Sequence, residues 1–266
     1  RVNKELIIRS HSSAVDFALL KDGKLIELNK EVEDNNFSVG DIFVGKVRKI
    51  MPGLNAGFVN VGHEKDGFLH YHDLGPKFPS LTKYIKQVST GRNKDYFLKQ
   101  FRYEKDIEKD GNVGEIISSK QKILVQVVKE PISTKGPRLS SEISLAGRFM
   151  VLMPFSDRVS ISQKIEDSSE KNRLKKLVQS IRPKGFGLII RTVAEGQKVA
   201  ALDTDIQQLL TRWKNLSAKL KQIEVYPTKV LSEINRSSSI LRDIFDDNFT
   251  GIHVDDAAMK SEIKDY

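Results

Sequence analysis

The stretch FSVGDIFVGKVRKIMPGLNAGFVNVGHEKDGFLHYHDL, beginning at Phe37, limits the fold more than any other part of this sequence. Short β-prone runs alternate with Gly40, Gly45, Gly53, Gly57, Gly62 and Gly67. A small, strongly curved barrel needs residues without a Cβ at its bulges and corners. The run KILVQVVKE at 122–130 supplies a strand to finish it. A barrel over 37–130 is therefore expected, interrupted by an insertion at 77–110. Residues 77–103 of that insertion hold Lys77, Lys83, Lys86, Arg92, Lys94, Lys99 and Arg102 against one acid, Asp95. They also hold Phe78, Tyr84, Tyr96, Phe97, Phe101 and Tyr103. Such a segment reads as a nucleic-acid clamp or a flexible arm, with the clamp preferred.

The flanks have different periods. Residues 4–32 read as a β-hairpin, with Val15, Phe17 and Leu19 on one face and Asp22-Gly23 as its tight turn. A lone hairpin is marginal in water, so a later strand is expected to join it. TGIHVDD near the end can supply that strand. Over 131–200 the pattern is α/β, with strands GRFMVLMP and RVSISQKIE, a helix in DSSEKNRLKKLVQSIRP and a strand at 186–192. Residues 204–221 space Ile206, Leu209, Leu210, Trp213, Leu216 and Leu220 as a buried helix face, and SEINRSSSILRDIF predicts a further helix.

That strand at 186–192 raises a chemical question. GFGLIIRTVAEG ends an apolar run on Arg191 and Thr192. Both residues finish strands beside turns as a matter of course. They also suit an anion, because guanidinium presents a planar fork of donors and threonine adds a hydroxyl. The two residues alone leave both readings open. Net charge leans toward a polyanionic partner: 44 Lys and Arg face 35 Asp and Glu, a formal +9. With no cysteine there is no disulfide framework, thiolate nucleophile or Cys-based zinc site. No apolar run approaches the ~20 residues of a membrane span. The opening RVNKELIIRS shows no secretion signal, so a cytoplasmic protein is expected.

Three pieces of the barrel stretch match a known pattern: G-D-x-x-x-G-K-V, G-F-V-x-V-G and G-F-L-H-x-x-D-L. They resemble the S1 domain, an RNA-binding barrel of the OB class. Phe58 and Phe68 fall where that family displays aromatics to RNA, which suits single strands because every base offers a π-face. The resemblance extends in order through MPGLNAGFVNVG, VQVVKEPISTKGPRLSSEISLAGRFMVLMP, ISQKIED, GLIIRTVAEG and SSSILRDIF. Together these look like the N-terminal half of the ribonuclease E/G family, nearer its ribonuclease G branch.

The resemblance implies an α+β multidomain protein, with an S1-type OB β-barrel inserted in a ribonuclease H-like α/β fold. On that plan 1–36 and 201–266 form the ribonuclease H-like part, 37–130 the S1 domain and 131–200 an α/β 5′-sensor region. It implies a pocket for a 5′-monophosphate at Gly147, Val151, Arg191 and Thr192. Lys135 is implied to lie near RNA, with Lys129 a weaker companion. Gln163 stands where relatives tend to carry Arg, so Lys164 is expected to take over part of that charge. By the same resemblance, cleavage uses two aspartates holding Mg²⁺ in a following domain, in an I-D-x-T-E-A…D-I-N type stretch that is not found in this sequence. The expectation is thus the recognition half of a bacterial endoribonuclease for rRNA processing and mRNA decay, with no catalytic residue or metal of its own. A homo-oligomer is expected of the full-length protein, and no membrane association. The alternative is a non-catalytic module binding single-stranded RNA.

Other candidates read as surface. His70 and His72 share a strand face as metal ligands can, but no third ligand lies near in sequence, and they are expected close to RNA. Within Asp246-Asp247 and Asp255-Asp256 the side chains point apart, so neither pair is expected to hold a metal.

Overall fold

The structure, a computed structural model, describes residues 3–10, 14–32, 37–93, 96–233 and 248–264. Backbone contacts group the chain into two units, 1–36 with 233–266, and 37–232.

The first unit is built on a sheet of four strands in the order β14-β1-β2-β3. These are β1 (Lys4–Ser10), β2 (Ala14–Lys21), β3 (Lys24–Val32) and β14 (Phe249–Val254). The expected hairpin over 4–32 is in fact a three-stranded meander. Asp22 and Gly23 turn β2 into β3 as predicted, while residues 4–10 form a separate strand antiparallel to β2. Alternation buries Leu6, Ile8, Val15 and Phe17 against Met259. Met259 belongs to α5 (Ala257–Lys264). The late strand does join the early ones, as β14 pairs parallel with β1. The helix expected in SEINRSSSILRDIF falls almost wholly on residues 234–247, outside the described residues, as do Asp246 and Asp247.

The second unit holds a closed five-stranded barrel of OB type. Its strands are β4 (Ile42–Met51), β5 (Ala56–Asn60), β6 (Gly67–His70), β7 (Lys122–Lys129) and β8 (Arg138–Ser140). They run in the order β4-β5-β6-β8-β7, and β7 returns to pair with β4. Val47, Val59, Leu69, Ile123, Val125, Val127 and Leu139 fill the interior. The fifth strand lies beyond residue 130. Only when Arg138 pairs with both Phe68 of β6 and Lys129 of β7 does the ring shut. Three residues are too few to show a strand period, so no sequence pattern marks β8.

A second sheet of this unit orders β11-β12-β10-β9, from β9 (Leu145–Ala146), β10 (Met150–Pro154), β11 (Val159–Ile161) and β12 (Phe186–Ile190). Helices α3 (Ser168–Ile181) and α4 (Val199–Leu220) pack on it through Leu174, Val178, Leu202, Ile206, Leu209, Trp213 and Leu216. The predicted face of 204–221 is this packed face, although the helix begins earlier. Asp167 caps α3 by accepting from Ser169 N at 2.8 Å.

The insertion departs most from expectation. It forms α1 (Phe78–Ser89), and the single turn α2 (Val113–Ile116) follows it. Of its six aromatics only Tyr103 is exposed. Phe78 and Tyr84 are buried, and Tyr96, Phe97 and Phe101 pack partly buried on the α3–α4 core. Tyr84 stacks on Trp213 with centroids 5.4 Å apart, its hydroxyl 2.7 Å from Ser217 Oγ. Trp213 Nε1 donates to Tyr96 O at 2.7 Å. Aromatic area is worth more in a core than in water, and α1 offers a strongly one-sided face to take it there. Most of the described aromatic rings of the insertion thus serve the core, while Lys86, Arg92, Lys99 and Arg102 are exposed.

Tyr84→Phe keeps the ring stack and strands the fully buried Ser217 hydroxyl. Chemical denaturation should report a loss of about 1–3 kcal/mol. A neutral result would mean that this helix contributes little to the core.

Candidate functional site

Strand register gathers one row of side chains around the outside of the barrel. Lys49 pairs with Phe58, Phe58 with Phe68, Phe68 with Arg138, and Arg138 with Lys129. The row crosses all five strands. Its neighbours Val59, Leu69 and Leu139 point inward, so alternation sends the row outward. Irregularities between Val47 and Lys49, and between Val127 and Lys129, bring the two outer lysines into line. Phe58 and Phe68 are half-buried and meet edge to face at 5.7 Å, with Lys49 Nζ 5.3 Å from the Phe58 centroid. Arg138 is steadied by Asp73, Nη2 to Oδ2 3.1 Å.

The aromatic surface continues from the end of β6 into the turn Tyr71–Asp73, so His70 and His72 do not share a strand. His70 lies 6.4 Å from Phe68, and His72 lies 4.9 Å from His70. Nδ1 of His70 accepts from His72 N at 3.1 Å, so that nitrogen serves the turn. Among the described residues no three of His, Cys, Asp and Glu gather as a metal site.

Lys135 is not in the row. It sits in a short turn closed by reciprocal Ile132 and Lys135 backbone hydrogen bonds, and that turn docks beside the loop before β6. Lys65 Nζ donates to Ser133 O at 3.2 Å. Gly136 is required there, because a Cβ would come within 2.2 Å of Asp66 O. Close backbone approach thus carries Lys135 to one end of the barrel.

Gly147, Val151, Arg191 and Thr192 do come together, at the end of the second sheet. A tight turn links β9 to β10, with Gly147 N donating to Met150 O at 2.7 Å. Buried Asp205 of α4 accepts from Arg148 N at 2.9 Å, Phe149 N at 2.9 Å and Met150 N at 3.0 Å. A Cβ on residue 147 would fall 2.6 Å from Asp205 Oδ1, so glycine alone fits. Arg191 leaves β12 beside this turn. Its Nη1 donates to Gly147 O at 2.8 Å, and its own N to Phe149 O at 2.8 Å. Thr192 Oγ1 lies 2.8 Å from Ser162 Oγ, which also accepts from Lys164 N at 3.3 Å. Val151 pairs with Ile189 on the half-exposed face of the sheet. The result is a rigid turn with a half-buried guanidinium and a hydroxyl at its side.

Comparison with known proteins identifies the setting. The family model described as "Ribonuclease E/G family" matches residues 144–266. Ribonuclease E of Nostoc sp. is 33% identical over 99% of this chain and 34% of its own length. Ribonuclease G of Haemophilus influenzae is 32% identical over 98% of this chain and 49% of its own length. Ribonuclease G of Escherichia coli K12 is 32% identical over 94% of this chain and 47% of its own. Residues 144–266 match the ribonuclease E/G family, and the chain as a whole is similar to its members. It spans between a third and a half of the length of these curated relatives.

Sequence reasoning missed several residues that build the barrel row and the Arg191 turn. Lys49 and Arg138 join the barrel row, and Ser162 and Asp205 support the Arg191 turn. Asp205 had a signal: it falls on the apolar stripe of α4 between Leu202 and Leu209, where an uncompensated carboxylate has no place. Glu170 is another. It accepts from Arg173 Nε and Nη2, both at 2.6 Å, and from Gly196 N at 2.7 Å, tying α3 to the turn after Thr192–Ala194. The Arg173 guanidinium first, and the Gly196 N–H second, hold its carboxyl down to about 2.

A carboxyl depressed in the folded state stabilises above its unfolded value and loses that contribution as pH falls toward its folded value. Glu170→Gln should therefore be less stable than the parent at neutral pH, and urea melts should show the gap closing between pH 4.5 and about 2. A gap that persists unchanged at pH 2 would refute the ion pair as its source.

Proposed function

We propose that this chain is the RNA-recognition part of an endoribonuclease of the E/G type, holding single-stranded RNA on the barrel and its 5′-monophosphate end beside Arg191. The row Lys49, Phe58, Phe68, Arg138 and Lys129 carries the reading. Cations flanking two half-exposed rings match a chain of alternating phosphates and bases. Little base-edge reading is expected of such a surface, so tolerance of sequence follows.

At the second site a terminal phosphate is a compact dianion with three acceptor oxygens. The carbonyls of Gly147 and Arg148 orient the guanidinium, and Ser162 orients the Thr192 hydroxyl. Asp205 keeps the 147–150 turn in shape without facing the ligand. Lys164, exposed one turn from Ser162, supplies further positive charge where Gln163 has none. On this reading residues 131–200 act as a 5′ sensor, and 1–36 with 201–266 form the ribonuclease H-like part, although 201–232 group with the second unit.

The Mg²⁺ implied by the family finds no fitting donor set among the described residues. Asp255 Oδ1 accepts from Ser10 N at 2.7 Å and Asp256 Oδ1 from Met259 N at 2.8 Å, so both serve the backbone rather than a metal. No cleavage step is derived from these side chains. Cleavage in RNA processing and decay is proposed for the whole protein.

Phe58→Ala and Phe68→Ala should each weaken binding of a single-stranded oligonucleotide by about 1–3 kcal/mol with the melting temperature held. Unchanged affinity in folded variants would remove the rings from the interface. Arg191→Lys keeps the charge and loses the fork; Thr192→Val keeps the shape and loses the hydroxyl. Both should erode the preference for 5′-monophosphate over 5′-hydroxyl RNA by about 1.5–3 kcal/mol, leaving hydroxyl-RNA affinity alone. Equal parent affinity for the two ends would sink the pocket reading.

A further inference from the structure

Three cations of the insertion, Lys83, Arg92 and Arg102, line one cavity. Lys83 and Gln87 lie one turn apart on a flank of α1, beside its buried stripe of Leu81, Tyr84 and Val88. After α1 the chain doubles back. Gln87 O accepts from Arg92 N at 2.9 Å and from Asn93 N at 3.1 Å. The returning segment is tied to the same flank. Lys83 Nζ donates to Arg102 O at 3.0 Å and to Glu104 Oε1 at 2.6 Å, and Glu104 N donates to Ser80 Oγ at 2.9 Å. Arg92 and Arg102 consequently face a shared cavity of about 390 Å³, which Gln87, Asn93 and Gln100 also line. Phe101 forms one wall, its ring held 5.9 Å from Tyr84 and 5.5 Å from Phe155.

The chemistry selects the ligand class. Glu104 offsets Lys83, so among the described residues lining the cavity two guanidiniums remain as charge. Guanidinium forks suit phosphate oxygens, carboxamides can both donate to and accept from a base edge, and an aromatic wall suits a base plane. A solvated charge run would scatter its arginines. Here two of them, from segments on either side of a turn, are fastened by backbone hydrogen bonds to one helix.

We propose that this cavity seats one nucleotide unit of single-stranded RNA, its phosphate on Arg92 and Arg102 and its base among Phe101 and the carboxamides. The proposal rests on RNA being the partner, and adds a contact separate from both the barrel row and the Arg191 turn. The insertion then clamps RNA through cations set on a buried aromatic base.

The test uses the 266-residue chain and its R92A/R102A variant, titrated with a 5′-hydroxyl single-stranded oligonucleotide across a salt series. Losing one phosphate contact should flatten the slope of log affinity against log salt by about 0.7 and weaken binding roughly tenfold. R92K/R102K should keep the slope and lose part of the affinity, because charge stays and the forks go. Preference for a 5′-monophosphate end should be the same in all three proteins, and so should their melting temperatures. Variants that bind like the parent overturn this inference and leave the functional reading standing. A parent that binds no single-stranded RNA overturns both. If adenosine monophosphate binds the parent as tightly as the oligonucleotide does, and only that binding is lost in R92A/R102A, a free nucleotide is the ligand and RNA seating is refuted.

Discussion

Closure of the barrel on β4 is the constraint that the rest of the second unit obeys. β4 pairs with β5 over Lys46–Met51, with β7 over Ile42–Lys46 and with β13 (Thr228–Leu231) on its outer side. Once this strand is shared, the ring has only one register, and a slip of one residue would exchange inside for outside. The inward set becomes the core and the outward set becomes the Lys49-to-Lys129 row. The surface proposed for RNA is thus a by-product of closing the sheet.

The 147–192 region works by a different principle. Little apolar area is available at a turn, so polar groups set its shape. Asp205 gathers three backbone N–H groups, and Glu170 gathers the Gly196 N–H and the Nε–Nη2 edge of Arg173. A buried carboxylate answered by three donors is satisfied and directional, whereas an apolar contact there would leave the turn free to rearrange. Preorganisation of this kind is what a site for a small dianion needs, since affinity would otherwise be spent on ordering the loop.

The insertion shows how composition can mislead. Aromatics interleaved with lysine and arginine read equally well as a nucleic-acid surface and as an amphipathic helix seen without its partner. α4 supplies the partner: Trp213 takes the Tyr84 ring on its face, and Ser217 takes the hydroxyl. Within α1 the rings of Phe78 and Tyr84 turn inward and Lys86 stays exposed.

Much of this protein was determined by sequence alone. Glycine spacing and the S1-like pattern announced the barrel, period-3.6 stripes announced α3 and α4, and an arginine at the end of an apolar strand announced the turn site. These are local signals, carried by neighbours a few residues apart. Tertiary structure alone decided the rest. β8 exists only because β6 and β7 flank it, β1 is a separate strand because β14 is there to pair with it, and Arg138 joins the aromatic row through a register spanning some 70 residues of chain. Asp205 reaches the Gly147 turn across a similar span, and Arg92 meets Arg102 only because α1 ties down both segments. Contacts between residues so far apart leave no period in a single sequence, because their partners are chosen by packing and by the need to satisfy buried polar groups.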